Sequence, residues 1–186
     1  MKTSRLVVIV TLALAAGLVL GCTQGNHSAD SEANVVLSAD IRQGPADIDI
    51  SVPTDVAIGQ LNITSKAKAP NAVLSAQQDV KLTEWVVTCT RTDGGSTASP
   101  QWHNFYTVFV PAGGTANLQN FRIFPSDFYK EMPLSQLFPE NGGLDKETGK
   151  RTIRQHLQID VYGKTVSGDS VVLSFSVNLN FFYVTP

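Results

Sequence analysis

From residue 35 onward, apolar and polar side chains alternate with a period of two. In SVVLSFSVNLNFFYV, residues 170–184, Val171, Leu173, Phe175, Val177, Leu179, Phe181 and Tyr183 fall on one face. Ser174, Ser176, Asn178 and Asn180 fall on the other. Only an extended strand lines such positions up; a helix scatters them around its circumference. Phe182 and Val184 make the last residues apolar on both faces, so that end is expected to be covered. In TIRQHLQIDVY, residues 152–162, Ile153, Leu157, Ile159 and Val161 alternate against Arg154, His156, Gln158 and Asp160. Between the two runs, GKTVSGD supplies Gly163 and Gly168-Asp169 as turn residues. The pattern predicts a long antiparallel hairpin.

Earlier segments repeat the pattern. ADIDISV (46–52) and QLNITS (60–65) alternate cleanly. DVKLTEWVVTCTR (79–91) changes face: Val80 and Leu82 belong to one set, Trp85, Val87 and Cys89 to the other. A β-bulge near Thr83-Glu84 reconciles them. HNFYTVFV (103–110) reads as a strand ending at Pro111, PAGGT as a tight turn, and ANLQNFRIF (116–124) as a strand ending at Pro125. SDFYKEMPLSQLFPENGG (126–143) predicts an irregular connection with one helical turn, Asp127 suiting its start and Gly142-Gly143 its end. About seven to eight strands, with turn signals between them and no long helix, predict an all-β antiparallel sandwich over residues 35–186.

The N-terminus is patterned differently. Lys2 and Arg5 precede a 15-residue apolar run, Leu6 to Leu20, broken only by Thr11 and Gly17. A bilayer-spanning helix needs ~20 apolar residues, so the run is short for a permanent anchor and has the layout of a secretory signal. Its end, Val19-Leu20-Gly21-Cys22, resembles the lipobox of bacterial lipoproteins, with Leu20 a tolerated choice at its position. The resemblance implies cleavage after Gly21, a diacylglycerol thioether on Cys22 and an acylated new amine. Thr23 after the cysteine favours the outer membrane over inner-membrane retention in a diderm. Several acyl chains, each CH₂ contributing about 0.8 kcal/mol of burial, hold a protein where one chain does not. Residues 22–34 then read as a lipidated tether of small polar residues, placing the domain roughly 20 Å from the lipid.

Without residues 1–21 the 186-residue chain keeps 165 residues, enough for one domain with a substantial core. Lys2 and Arg5 leave with the signal, so the formal charge moves from −2 to −4. No basic run marks a nucleic-acid surface. Cys89 has no partner once Cys22 is lipidated, so the core alone must hold the exported domain.

DVKLTEWVVTCTRTDGG, MPLSQL and GGLDKETGKRTIRQHLQIDVYGKTVSGDSVVLSFSVNLNF together resemble segments of bacterial Ig-like lipoproteins. The resemblance spans roughly residues 35–184 and rests on strand patterning and turn motifs. It implies an Ig-like sandwich in the cell envelope and carries no catalytic residue across. The Cys…Trp…Cys pattern of disulfide-bearing Ig domains is absent.

Candidate chemistry is sparse. Cys89 shares a strand face with Trp85 and Val87 and is expected to be buried and inert, although Arg91 lies on that same face. His27, His103 and His156 stand singly, with no metal-ligand spacing, and no nucleophile or phosphate-loop motif occurs. No cofactor is expected. In NGGLDKETGK (141–150), Asn141, Asp145 and Glu147 offer hard oxygens suited to Ca²⁺, but the spacing departs from the EF-hand loop and favours a turn. Trp102, Tyr106, Phe128 and Tyr129 are the candidate binding aromatics, able to anchor a protein or stack on a sugar ring. The expected function is non-enzymatic: a membrane-anchored module that docks a protein partner in the envelope through a sheet edge or an aromatic patch. Carbohydrate binding is the alternative, and an enzyme with a dispersed site the third option.

Overall fold

The structure is a computed structural model that describes residues 33–184. The signal segment with Gly21, the lipidation residue Cys22, the tether up to residue 32 and His27 lie outside the described residues. The strands are β1 (Val35–Gln43), β2 (Asp47–Asp49), β3 (Val56–Ala67), β4 (Val80–Arg91), β5 (Trp102–Asn104), β6 (Val108–Val110), β7 (Thr115–Phe124), β8 (Thr152–Thr165) and β9 (Ser170–Phe182). They form two packed sheets, one ordered β1-β3-β7 and the other β2-β9-β8-β4-β5, with β6 also paired to β4. Every pairing is antiparallel except the short one of β2 with β9. The protein is an all-β sandwich.

The alternation places the core between the sheets. Leu37, Leu61 and Ile63 from the smaller sheet meet Leu157, Ile159, Leu173 and Phe175 from the larger, all buried. Each such side chain contributes about 1.5–3 kcal/mol of burial. Phe124 of β7 and Phe181 of β9 bring their ring centroids to 5.1 Å across the gap. Cys89 lies in this core, and burial pushes its thiol up to about 12, which removes the thiolate that reactivity requires.

The predicted hairpin is present as β8–β9, with Thr152 opposite Phe182 and Lys164 opposite Ser170. The predicted bulge in β4 is also present: the β4–β8 register shifts between Leu82 and Glu84. Gly163, expected in the turn, instead lies within β8 and faces the bulge. A Cβ there would stand 2.4 Å from the Lys81 carbonyl oxygen, so only glycine allows this close approach. The tight turn comes later, where the Thr165 N–H donates to the Asp169 carbonyl and Gly168 takes φ 102°.

Other segments depart from the periodic reading. Val35–Gln43 forms β1, although its alternation runs on from polar tether residues. ADIDISV yields only the three residues of β2, because the Asp49 carboxylate accepts the Ser51 N–H and turns the chain. The 126–143 connection contains three 3₁₀ turns rather than one, at Ser126–Lys130, Leu134–Leu137 and Pro139–Asn141. They close one end of the sandwich. Phe138 covers Tyr183 there at 5.2 Å, whereas Val184, expected to be covered, is exposed.

Candidate functional site

The bulge in β4 controls what lies beside it. β5 pairs with Trp85–Val87 on one side of the bulge, and β6 pairs with Val80–Leu82 on the other. The segment read as a single strand over 103–110 therefore breaks, and Phe105, Tyr106 and Thr107 bridge the offset as a short loop. The buried indole of Trp85 anchors this loop: its Nε1–H donates to the Tyr106 carbonyl oxygen at 2.8 Å. The same indole packs on Phe121 at 4.4 Å, and the Tyr106 ring lies 5.8 Å from Phe121. The loop backbone is thus tied to the core while its side chains face outward. Phe105 is 75% exposed and Tyr106 51%.

Next to Tyr106 is a concavity of about 550 Å³, walled by Asn104, Asn117, Gln119, Asn120, Phe121 and Arg122. Asn120 sits at φ 50°, a left-handed conformation that asparagine tolerates better than most side chains. Arg122 is held on two sides. Its Nη1 donates to Asp55 at 2.9 Å, and its guanidinium lies 5.0 Å from the centroid of the Trp102 ring. The Ser126 backbone N–H and Arg122 together hold the Asp55 carboxyl below the usual carboxylate range.

The four candidate aromatics separate. Tyr106 is displayed, and Trp102 is half-buried against the core with Arg122 on its face. Tyr129 is not a surface residue. It is 2% exposed, with its ring packed beside both Phe124 and Phe181 and its hydroxyl donating to the Thr54 carbonyl at 2.7 Å. Burial first, then the Asp55 charge, pushes that hydroxyl up to about 12. Phe128 packs edge-on to Phe124. The loop aromatics of 126–129 thus close the core, because the two sheets leave Phe124 and Phe181 uncovered at this end. Phe105, the more exposed of the loop pair, is not among the sequence candidates, and nothing in the 103–110 pattern separates it from Tyr106.

The oxygen-rich loop is committed to internal partners. Arg91, at the end of β4, donates from Nε to Asp93 at 2.8 Å and from Nη2 to Asp145 at 2.7 Å; all three side chains are almost fully buried. Asp145 also accepts from Thr148, through the backbone at 3.1 Å and the hydroxyl at 2.5 Å. Burial pushes the Asp93 carboxyl up, but hydrogen bonds from Arg91, Arg154 and Gly95 outweigh it and hold the group at about 2. Asp145 is likewise lowered by Arg91 and Thr148 against its burial. Glu147 accepts the backbone N–H groups of Ser96 and Thr97, which lower it to about 2. Asn141 donates to the Ser135 carbonyl at 2.8 Å. The three residues therefore fasten separate loops.

His103 contacts Glu84 and Gln101, and His156 contacts Asn178, on the outer face of the larger sheet. No cluster of three or more His, Cys, Asp or Glu side chains suited to a metal occurs among the described residues.

No protein-family model and no curated protein matches the chain. Among solved structures, the crystal structure of a protein from Archaeoglobus fulgidus is similar over 81% of this chain and 97% of that one, at 13% identity. Its TM-score of 0.37 is too low to carry an argument about either fold or activity.

Proposed function

We propose that this protein is a non-enzymatic lipoprotein of the cell envelope, acylated at Cys22 after cleavage at Gly21, that docks a protein partner through the Phe105–Tyr106 loop. The outer membrane of a diderm is the proposed location. The carrying observation is the display of two adjacent aromatics on a backbone that Trp85 holds fixed. Apolar rings exposed to water on a preordered loop lose little conformational entropy on binding, which suits them as an interface anchor. Arg122, restrained by Asp55 and Trp102, provides an oriented charged donor at the rim. The β7 edge beside the concavity supplies further main-chain groups for a partner.

Capture from detergent-solubilised native membranes tests this reading. The wild-type protein should enrich one defined complex, and the Phe105→Ser/Tyr106→Ser variant should lose it while melting at the same temperature. Enrichment unaffected by the double substitution contradicts the assignment.

The amides around Tyr106 favour one second reading. Asn104, Asn117, Gln119 and Asn120 present donors and acceptors beside an exposed ring, a combination that suits sugar hydroxyls and a stacked pyranose. Glycan-array binding lost with Tyr106→Ala and with Trp102→Ala would select it over protein docking.

A further inference from the structure

The strand registers bring one set of termini and turns to the same end of the sandwich. The described chain enters β1 at Val35 opposite Ala67, and the Lys68 N–H donates to the Asn34 carbonyl. Thr64 lies opposite Thr115, and the Ser65 N–H donates to Gly114 in the β6–β7 turn. Val110, which leads into that turn, pairs with Val80, and Val80 pairs with Thr165 at the start of the β8–β9 turn. That turn in turn joins the 77–79 segment through the N–H groups of Val166 and Ser167. The end from which residues 1–32 depart is therefore also the end that carries the β6–β7 and β8–β9 turns.

This end has a distinct surface. Phe109 is 63% exposed, Val166 is 59% exposed, and Tyr162 and Val172 line a groove of about 500 Å³ with them. Lys81 and Lys164 lie directly opposite one another across β4 and β8 in that groove. Their neighbours in the same row are Phe109, with Lys81 Nζ 5.8 Å from its ring centroid, and Ser170. Like charges in direct register destabilise a sheet on their own, and no acid interrupts this row. Lys66 is a further exposed cation at this end, on the outer face of the smaller sheet and outside the groove. Of the acids at this end, Glu84 lines the groove and contacts His103 outside it, Asp79 accepts from the Ala112 N–H, and Asp169 accepts from Ser167.

We infer that the Phe109–Val166–Lys81–Lys164 end is a membrane-contact surface that seats the domain on anionic lipid headgroups. The inference rests on the anchor at Cys22 proposed above. Cys22 stands eleven residues before Ala33, and a tether of that length reaches roughly 15–20 Å on average. A tether of that mean length favours this end over the far end of a sandwich whose longest strand runs 14 residues. Apolar side chains flanked by lysines match the boundary between acyl chains and anionic headgroups.

The test places a tryptophan reporter at either end of the whole lipidated protein, reconstituted in vesicles of phosphatidylcholine and phosphatidylglycerol with brominated acyl chains. The emission that Val166→Trp adds over the wild-type protein, whose Trp85 and Trp102 give the baseline, should shift to the blue and fall at least twofold relative to unbrominated vesicles. The emission that Val52→Trp adds over the same baseline, at the far end, should not change. Adding Lys81→Gln and Lys164→Gln to the Val166→Trp protein should abolish the quenching. Equal quenching at the two reporters, no quenching at Val166→Trp, or quenching insensitive to the lysines overturns the inference. So does a Val166→Trp emission that responds to added envelope protein and not to lipid. The intact mass of the same preparation reports the anchor separately. If Cys22 proves bare, the same reporters, with protein added to preformed vesicles, still decide the surface.

Discussion

Replacing Arg91 with methionine is expected to cost about 3–5 kcal/mol of folding stability at pH 7, because it leaves the buried Asp93 and Asp145 carboxylates without their cation. Against a typical total of about 5–15 kcal/mol this is a large fraction, and the melting temperature should fall by roughly 10 °C or more. The pH dependence supplies a sharper signature. In the wild type both carboxyls are held below their unfolded value, so their stabilisation is complete above the unfolded pKa of about 4. It is lost as the pH falls from there toward about 2. In Arg91→Met the sign reverses: burial without a partner favours the protonated acids, and the penalty grows as the pH rises above about 4. Urea titrations at pH 7, 5.5 and 4 should show the gap between the two proteins narrowing toward acid. A gap that stays constant, or is below about 1 kcal/mol at pH 7, would show that the cluster carries little of the fold.

Trp85→Ala is expected to be as damaging, at about 3–5 kcal/mol, since it empties a fully buried indole site that packs on Phe121. The more informative variant is Trp85→Phe. It keeps most of the ring volume and removes the hydrogen bond to the Tyr106 carbonyl, for about 1 kcal/mol in stability. If that bond preorders the docking loop, partner affinity should fall further than stability does, with slower association or faster release by surface plasmon resonance. Unchanged affinity in a folded Trp85→Phe protein would mean that the indole serves the core alone.

Much of the sandwich was legible because one period governed it. Alternation from Val171 to Phe181 announced β9, and the change of face between Leu82 and Trp85 announced the bulge. What stayed hidden depends on contacts distant in sequence. Gln155 sits on the apolar face of β8, fully buried, because its amide bonds to the Ser99 N–H and hydroxyl 56 residues away. The strand pattern relates Arg91 only to its neighbour Cys89, whereas one of its two buried partners, Asp145, lies 54 residues further on. The loop aromatics divided for a similar reason. Tyr106 is displayed because a bulge elsewhere broke its strand, and Tyr129 is buried because the end of the sandwich needed closing. Composition and spacing distinguish neither case.

The proposed membrane attachment at Cys22 underlies both the proposed docking role and the proposed orientation of the domain. Intact-mass and peptide spectrometry of the protein purified from its native membranes tests it most directly. The account predicts a chain beginning at residue 22, heavier than its peptide mass by a diacylglycerol thioether and, on the amine, a further acyl group. A chain that retains Met1, or begins at residue 22 with an unmodified thiol, contradicts it.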